Sequence, residues 1–258
     1  MGDRPELRIG MISFTNATPF RFVPPRFKAQ IVFGDPSELT ALMMEGKLDV
    51  CLLPTGSPIH LEEKVKPLGP YGIASYGHVM SVRLFSKVAL AELLEKDRAM
   101  HLTQRSTTTR KLLQILFKKE FGATPRISSD PSESDARLLI GDEALNFARQ
   151  EYRWPVNRDI GEWWMEQTGH GFVFAQWVVS PTVSDESVSD LTQWIEENLT
   201  FAATAEGRRS LREAGTAAGW NPDMAELYFE RLEFRLTQVH LEGLSYFHRL
   251  LKGTDDGD

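Results

Sequence analysis

An α/β protein of two lobes with a central ligand cleft is what the sequence predicts, and three observations predict it. Short apolar runs alternate with helical patterns between residues 7 and 179, as they do in strand–helix–strand units. Polar turns follow several of those runs, hydroxyl-rich at residues 13–19 and 104–108 and acidic at 142–143, where open sheets present groups to a ligand. A long aromatic-rich run, Phe172–Val179, comes late, and from Ser184 onward the pattern is helical throughout. The chain therefore leaves a first lobe and returns to it.

In order, residues 7–13 read as a first strand and residues 31–34 as a second. Asp35-Pro36-Ser37-Glu38 then reads as a helix start, with a cap residue and a proline in the first turn. That helix runs to Glu45 and stops at Gly46. Val50–Pro54 is the third strand. Residues 79–86 form another strand, 89–94 a short helix, and 100–103 a strand that runs into the polar residues 104–108. The helix after them carries Leu112, Leu113, Leu116 and Phe117 on one face. Residues 126–129 and 136–141 read as strands and 144–150 as a helix. Leu191, Trp194, Ile195 and Leu199 define one later helical face, and Leu244, Phe247 and Leu251 the last. The crossings fall at residues 84–87 and 178–181, so that residues 1–86 and 179–258 make a discontinuous first lobe and residues 87–178 the second. This is the architecture of a type II periplasmic-binding-protein-like fold, whose hinge cleft is the natural ligand site.

The net charge of −7, with no Lys/Arg run longer than two, gives no basic footprint for nucleic acid. A single cysteine, Cys51, sits in the apolar run Val50-Cys51-Leu52-Leu53. It reads as a core thiol, and a disulfide within one chain is excluded. No apolar stretch approaches the ~18 residues of a membrane span. The charged start Met1-Gly2-Asp3-Arg4-Pro5-Glu6 lacks the apolar core of a secretory signal. The expectation is a cytoplasmic protein with a small-molecule ligand, no nucleic-acid or membrane partner and no evident obligate protein partner. The acidic tail, residues 253–258, reads as unstructured.

Four constellations are able to carry chemistry. Ser13-Phe14-Thr15-Asn16-Ala17-Thr18-Pro19 follows the first strand. Asn16 offers a donor and an acceptor there, or it merely satisfies a turn. In Gly77-His78-Val79-Met80-Ser81-Val82, Ser81 either faces the cleft or bonds a neighbouring strand, and His78 is an acid–base candidate or a surface histidine. Arg105-Ser106-Thr107-Thr108 opens a helix, where hydroxyls and free N–H groups suit an anion such as a carboxylate or simply cap the helix. Asp142, in Ile140-Gly141-Asp142-Glu143-Ala144-Leu145, is either a cap or a cleft carboxylate. The six histidines are scattered, and there is no H-E-x-x-H motif, Cys–His cluster, dinucleotide fingerprint, phosphate-binding loop or G-x-S-x-G elbow. No metal site or nucleotide is expected.

Taken together and in order, these segments resemble the chorismate dehydratase family of the futalosine route to menaquinone. The resemblance runs from Leu7-Arg8-Ile9-Gly10 to the C-terminal helices. It rests on Phe14-Thr15-Asn16-Ala17-Thr18-Pro19, Gly46-Lys47-Leu48-Asp49-Val50, Gly77-His78-Val79-Met80-Ser81-Val82, the Thr107-Thr108 helix start and Ile140-Gly141-Asp142-Glu143-Ala144-Leu145. Its most specific part is Asp159-Ile160-Gly161-Glu162-Trp163-Trp164, leading to Thr168-Gly169 and Phe172-Val173-Phe174-Ala175-Gln176-Trp177. Leu232-Glu233-Phe234-Arg235 resembles the family's C-terminal signature. The chain departs from the pattern at Gly169-His170-Gly171, at His78 and in the order Arg105-Ser106.

The resemblance implies a binding-protein fold without a transport role, and dehydration of chorismate to 3-[(1-carboxyvinyl)oxy]benzoate without metal or cofactor. It implies Asn16, Ser81, Thr107 and Thr108 at the substrate and Asp142 in the same cleft; Ser106, at the same helix start, is a further substrate-binding candidate, and Asn16 and Asp142 are the catalytic candidates. The proton acceptor is either Asp142 or the substrate's own side-chain carboxylate. The related dihydroxynaphthoate synthase family has a histidine where this chain has Asp142, which argues against that activity. A non-catalytic cytoplasmic binder of small anions with the same fold is the other alternative.

Overall fold

The computed structural model describes residues 6–61, 63–147 and 153–255. The chain begins with β1 (Leu7–Ile12), a 3-10 turn (Thr15–Phe20), β2 (Ala29–Gly34), α1 (Pro36–Met44), β3 (Val50–Pro54), α2 (Pro58–Leu61) and β4 (Lys66–Ser75). It continues with β5 (Val82–Ser86), α3 (Leu90–Glu95), β6 (Ala99–Leu102), α4 (Thr107–Phe121), β7 (Arg126–Ser128), β8 (Ala136–Ile140), α5 (Gly141–Phe147), β9 (Val156–Asp159) and α6 (Ile160–Thr168). It then returns through β10 (Phe172–Val179) to α7 (Asp185–Ala202), α8 (Ala205–Ala217), α9 (Pro222–Arg231), β11 (Glu233–Arg235) and α10 (Gln238–Asp255).

Among the described residues the strands form two sheets, ordered β11-β4-β10-β3-β1-β2 and β7-β6-β8-β5-β9. In the first, β1 is parallel to β2 and β3, and β10 runs antiparallel between β3 and β4. In the second, β6 is parallel to β7 and β8, and β5 is antiparallel to β8 and β9. The central parallel strand β3 carries a continuous apolar run because both of its faces are covered. All five of its residues are buried.

Sheet membership corrects the expected crossings. β5 pairs with β8 and β9 in the second sheet, and β10 pairs with β3 and β4 in the first. The chain therefore crosses at residues 76–81 and 169–171, ahead of both expected positions. The expected strand over residues 79–86 begins only at Val82 because Met80 adopts a left-handed φ of 62°. The buried Asp159 carboxylate holds that break in place. It accepts from the Val79 and Met80 amides at 3.2 and 2.7 Å and from those of Gly161 and Glu162 at 3.0 and 3.2 Å. One carboxylate thus caps α6 and pins the first crossing.

Behind that cap, Trp163 and Trp164 are fully buried, Trp164 against Phe172 and Phe247. The Asp159–Trp164 motif is accordingly a hinge and core element. Three strands arise where no strand was expected: β4, β9 and β11. Residues 253–255 of the tail continue α10. Residues 256–258, the N-terminal residues 1–5 and the end of the expected helix at 148–150 lie outside the described residues. No helix among the described residues is long and apolar enough to cross a membrane.

Candidate active site

The parallel strands of both sheets end at one cleft, open to solvent at its mouth. From the first sheet come the end of β1 with Phe14 and Asn16, and Phe174 of β10. The crossing contributes Ser81, and the second sheet contributes Gly141 and the start of α4. A crevice beyond the carboxyl ends of parallel strands is where this class of sheet binds its ligands.

Asn16, Ser81 and Ser106 all line this cleft. Asn16 lies in the 3-10 turn, and its Oδ1 is buried without a hydrogen-bond partner among the described residues. Ser81 is 2% exposed and accepts from the Tyr228 phenol at 2.9 Å. Ser106 is the N-cap of α4. Its Oγ accepts from the Thr109 amide at 3.2 Å and lies 3.0 Å from Thr109 Oγ1.

Thr107 and Thr108 do not line the cleft, contrary to the expectation for the α4 start. Thr107 is exposed. Thr108 is buried, and its Oγ1 accepts from the Gly56 amide at 2.8 Å. The hydroxyl-bearing residue that does face the cleft is Thr109. Successive helical residues point about 100° apart, so the paired hydroxyls of residues 107 and 108 cannot share one direction. Thr108 instead joins the second sheet's layer to the turn after β3.

Asp142 is the second residue of α5, after Gly141, which makes the strand-to-helix turn with a φ of 59°. Its carboxylate is half-buried and accepts from Thr15 Oγ1 at 3.3 Å, across the cleft. Burial holds the Asp142 carboxyl above its usual range, and the Thr15 hydroxyl and the Arg105 charge act the other way. Gly141 is among the residues that line the cleft, and Asp142 follows it at the cleft's edge, joined to Thr15. Arg105 spans the mouth: its guanidinium lies 4.5 Å above the Phe14 ring and 3.4 Å from Asp35.

The histidines singled out from sequence stand elsewhere. His78 pairs with Glu162 at 2.8 Å beside the hinge, and the His170 ring packs 6.0 Å from that of Tyr246. Neither lines the cleft. Among the described residues no three His, Cys, Asp or Glu side chains converge on one point.

Sequence reasoning did not single out Tyr228. It is 1% exposed, and burial pushes its phenol above the usual range, with the charge of Asp142 adding to the shift. A tyrosine inside an otherwise ordinary helical pattern signals a core residue. Only its partner, 147 positions away, reveals a link to the cleft.

A family model described as menaquinone biosynthesis matches residues 7–252. A chorismate dehydratase of Thermus thermophilus is 26% identical over 267 aligned residues, covering 94% of each chain. Three solved structures are similar in fold. Protein AF1704 of Archaeoglobus fulgidus has a TM-score of 0.72 at 15% identity, covering 97% of this chain and 98% of that one. The alkanesulfonate-binding protein of Xanthomonas axonopodis pv. citri, bound to MOPS, has 0.63 at 15%, covering 97% and 96%. The Candida albicans CA3427 gene product, described as exhibiting the generic periplasmic binding protein fold, has 0.65 at 10%, covering 97% and 91%. The fold is therefore that of the periplasmic binding proteins, as the sequence led one to expect.

Proposed function

The chain belongs to the menaquinone-biosynthesis family, and from that membership we propose that it is a chorismate dehydratase, removing water from chorismate to give 3-[(1-carboxyvinyl)oxy]benzoate. The observation that carries the reading is the 26% identity, across 94% of both chains, to the Thermus thermophilus dehydratase. The cleft chemistry supports it. In the elimination the C3–H bond breaks, its electron pair forms the C3–C4 double bond, and hydroxide leaves C4. Proton and hydroxide together make the water lost. The ring becomes aromatic, so the reaction needs positioning more than driving force. Holding a substrate in a reactive geometry lowers barriers by about 7 kcal/mol or more at its best.

Asn16 and Ser81 take the ring hydroxyl, and Ser106 with the α4 start lies against a carboxylate. Arg105 draws the dianion to the mouth by exchanging Asp35 for a substrate carboxylate. No titratable side chain lines the cleft among the described residues, and the Asp142 carboxylate is already engaged by the Thr15 hydroxyl. The C3 proton accordingly goes to the substrate's own side-chain carboxylate, and the protein holds that group over C3.

Purified protein incubated with chorismate and EDTA should release an enolpyruvyl benzoate, detected by chromatography and ultraviolet absorption. Absence of that product with fresh protein and substrate refutes the reading, and loss of activity on chelation refutes its metal-free form.

A further inference from the structure

Tyr228 extends the chemistry of the cleft beyond the residues that line it. Its side chain is 1% exposed on α9, with its ring 5.0 Å from Trp220 and 5.4 Å from Phe229. The phenol reaches Ser81 Oγ at 2.9 Å, and the Asn16 side chain also acts on it. The direction of the proton follows from what is left over. Asn16 Oδ1 has no partner among the described residues, so the phenol proton goes to Ser81 and not to Asn16.

A serine hydroxyl carries one proton and two acceptor lone pairs. With Tyr228 donating to Oγ, the Ser81 proton points elsewhere, and no acceptor among the described residues receives it. Ser81 lines the cleft. The cleft wall therefore offers a donor at Ser81 and an unfilled acceptor at Asn16 Oδ1, both next to one phenol. A group that donates once and accepts once is a hydroxyl, and a carboxylate, which only accepts, cannot fill both. We propose that Tyr228 is a positioning residue: by donating to Ser81 it commits the Ser81 proton to the cleft and, with Asn16, builds a site for one ring hydroxyl of the substrate.

This rests on the dehydratase reading for the identity of that hydroxyl, the one lost from C4. As the C–O bond lengthens, negative charge grows on the departing oxygen, and the Ser81 proton is already aimed at it. The Tyr228 bond strengthens that donor, because hydrogen bonds in a chain polarise one another.

The experiment is a double-mutant cycle of Tyr228→Phe and Ser81→Ala, read by chorismate turnover and thermal melting. Tyr228→Phe removes one oxygen and keeps the ring among its aromatic neighbours. Its kcat should fall about tenfold to a hundredfold, less than the 10²–10³ of losing a direct oxyanion donor, with KM little changed. In the Ser81→Ala background the same substitution should cost nothing further. Crystal structures of ligand-free wild type and Tyr228→Phe give an arm independent of activity. The Ser81 hydroxyl should hold one rotamer with a cleft water within hydrogen-bond distance in the first, and lose that rotamer or that water in the second. An unchanged kcat, an equal loss in both backgrounds, or an identical Ser81 in both crystals overturns the proposal. If wild type gives no product from chorismate, the dehydratase reading fails, and the crystals alone decide the role of Tyr228.

Discussion

Substituting Gly56 by alanine tests whether the cleft depends on the close approach of its two layers. Gly56 follows β3 in the first sheet's layer, and Thr108 is in the first turn of α4 on the other side. A Cβ on Gly56 would stand 2.7 Å from Thr108 Cα and 3.0 Å from Thr108 Oγ1. The nearest atom is backbone, so no rotamer change relieves the clash. Ordinary contact between carbons is ~3.5–4.0 Å, so the two layers must part by about 1 Å. That parting breaks the Gly56 amide bond to Thr108 Oγ1, worth about 1 kcal/mol. It also stretches the Thr15–Asp142 and Arg105–Asp35 contacts, already at 3.3 and 3.4 Å. A misplacement of about 1 Å costs up to ~10²-fold in rate. Gly56→Ala should thus lower kcat/KM for chorismate by about tenfold to a hundredfold, while circular dichroism shows an intact fold. Thr108→Ser, which keeps the oxygen, should stay near wild type. Turnover by Gly56→Ala within about twofold of wild type, against the ~10²-fold scale of such misplacements, would refute the reasoning.

Four further outcomes are expected. Asp142→Asn should keep kcat within about tenfold, because the substrate carboxylate takes the proton; a fall of ~10²–10⁴, the usual span for losing a general base, would make Asp142 that base. The Asp142 carboxyl is raised in the folded protein, so its contribution to stability is full below its unfolded pKa and lost as pH rises through the folded value; the melting temperature of Asp142→Asn relative to wild type should therefore improve as pH rises towards neutrality, and a gain that shrinks instead would contradict this. Arg105→Ala should raise KM by about tenfold, the low end for a charge-assisted bond of ~1.5–3 kcal/mol, with kcat nearly unchanged and the effect shrinking in salt; a KM equal to wild type at low salt removes Arg105 from substrate capture. His60 lies with its ring 5.9 Å from that of His248, and burial first, then the neighbouring His248, pull it down to about 4 from 6.5. The neutral form is thus the folded one: stability is full above about pH 6.5 and is lost as pH falls towards 4, by about 3 kcal/mol if the whole shift is realised. Denaturant titrations of wild type and His60→Gln between pH 7 and 4 should show a flatter dependence in the variant, and parallel curves would exclude His60 as the source.

Several elements were legible because their signals are local. Asp35 and Pro36 open α1, and Gly46 follows its end. The apolar runs of β1, β3 and β10 lie where they were read. Asn16, Ser81 and Ser106 reached the cleft because a polar residue near a strand end or helix start has few other places to go. β4 was not legible: Pro67, Gly69, Pro70 and Gly72 interrupt its alternation, and it holds through pairing with β10 and β11 on either side. β9 and β11, of four and three residues, are too short to show a period.

What the sequence by itself determined was the kind of protein: alternating units, a cleft at the strand ends, and a run of motifs shared with one family. The tertiary structure decided which way each group faces. Helical phase exchanged Thr109 for Thr107 and Thr108. Asp159, read as part of a family motif, gathers four backbone amides at the hinge. Tyr228 became a partner of Ser81 only when α9 packed against the crossing. Caps, turns and strand runs depend on neighbours a few residues away and so are written in short windows of sequence. The direction of a hydroxyl proton depends on a contact across 147 residues of chain, which no local pattern encodes.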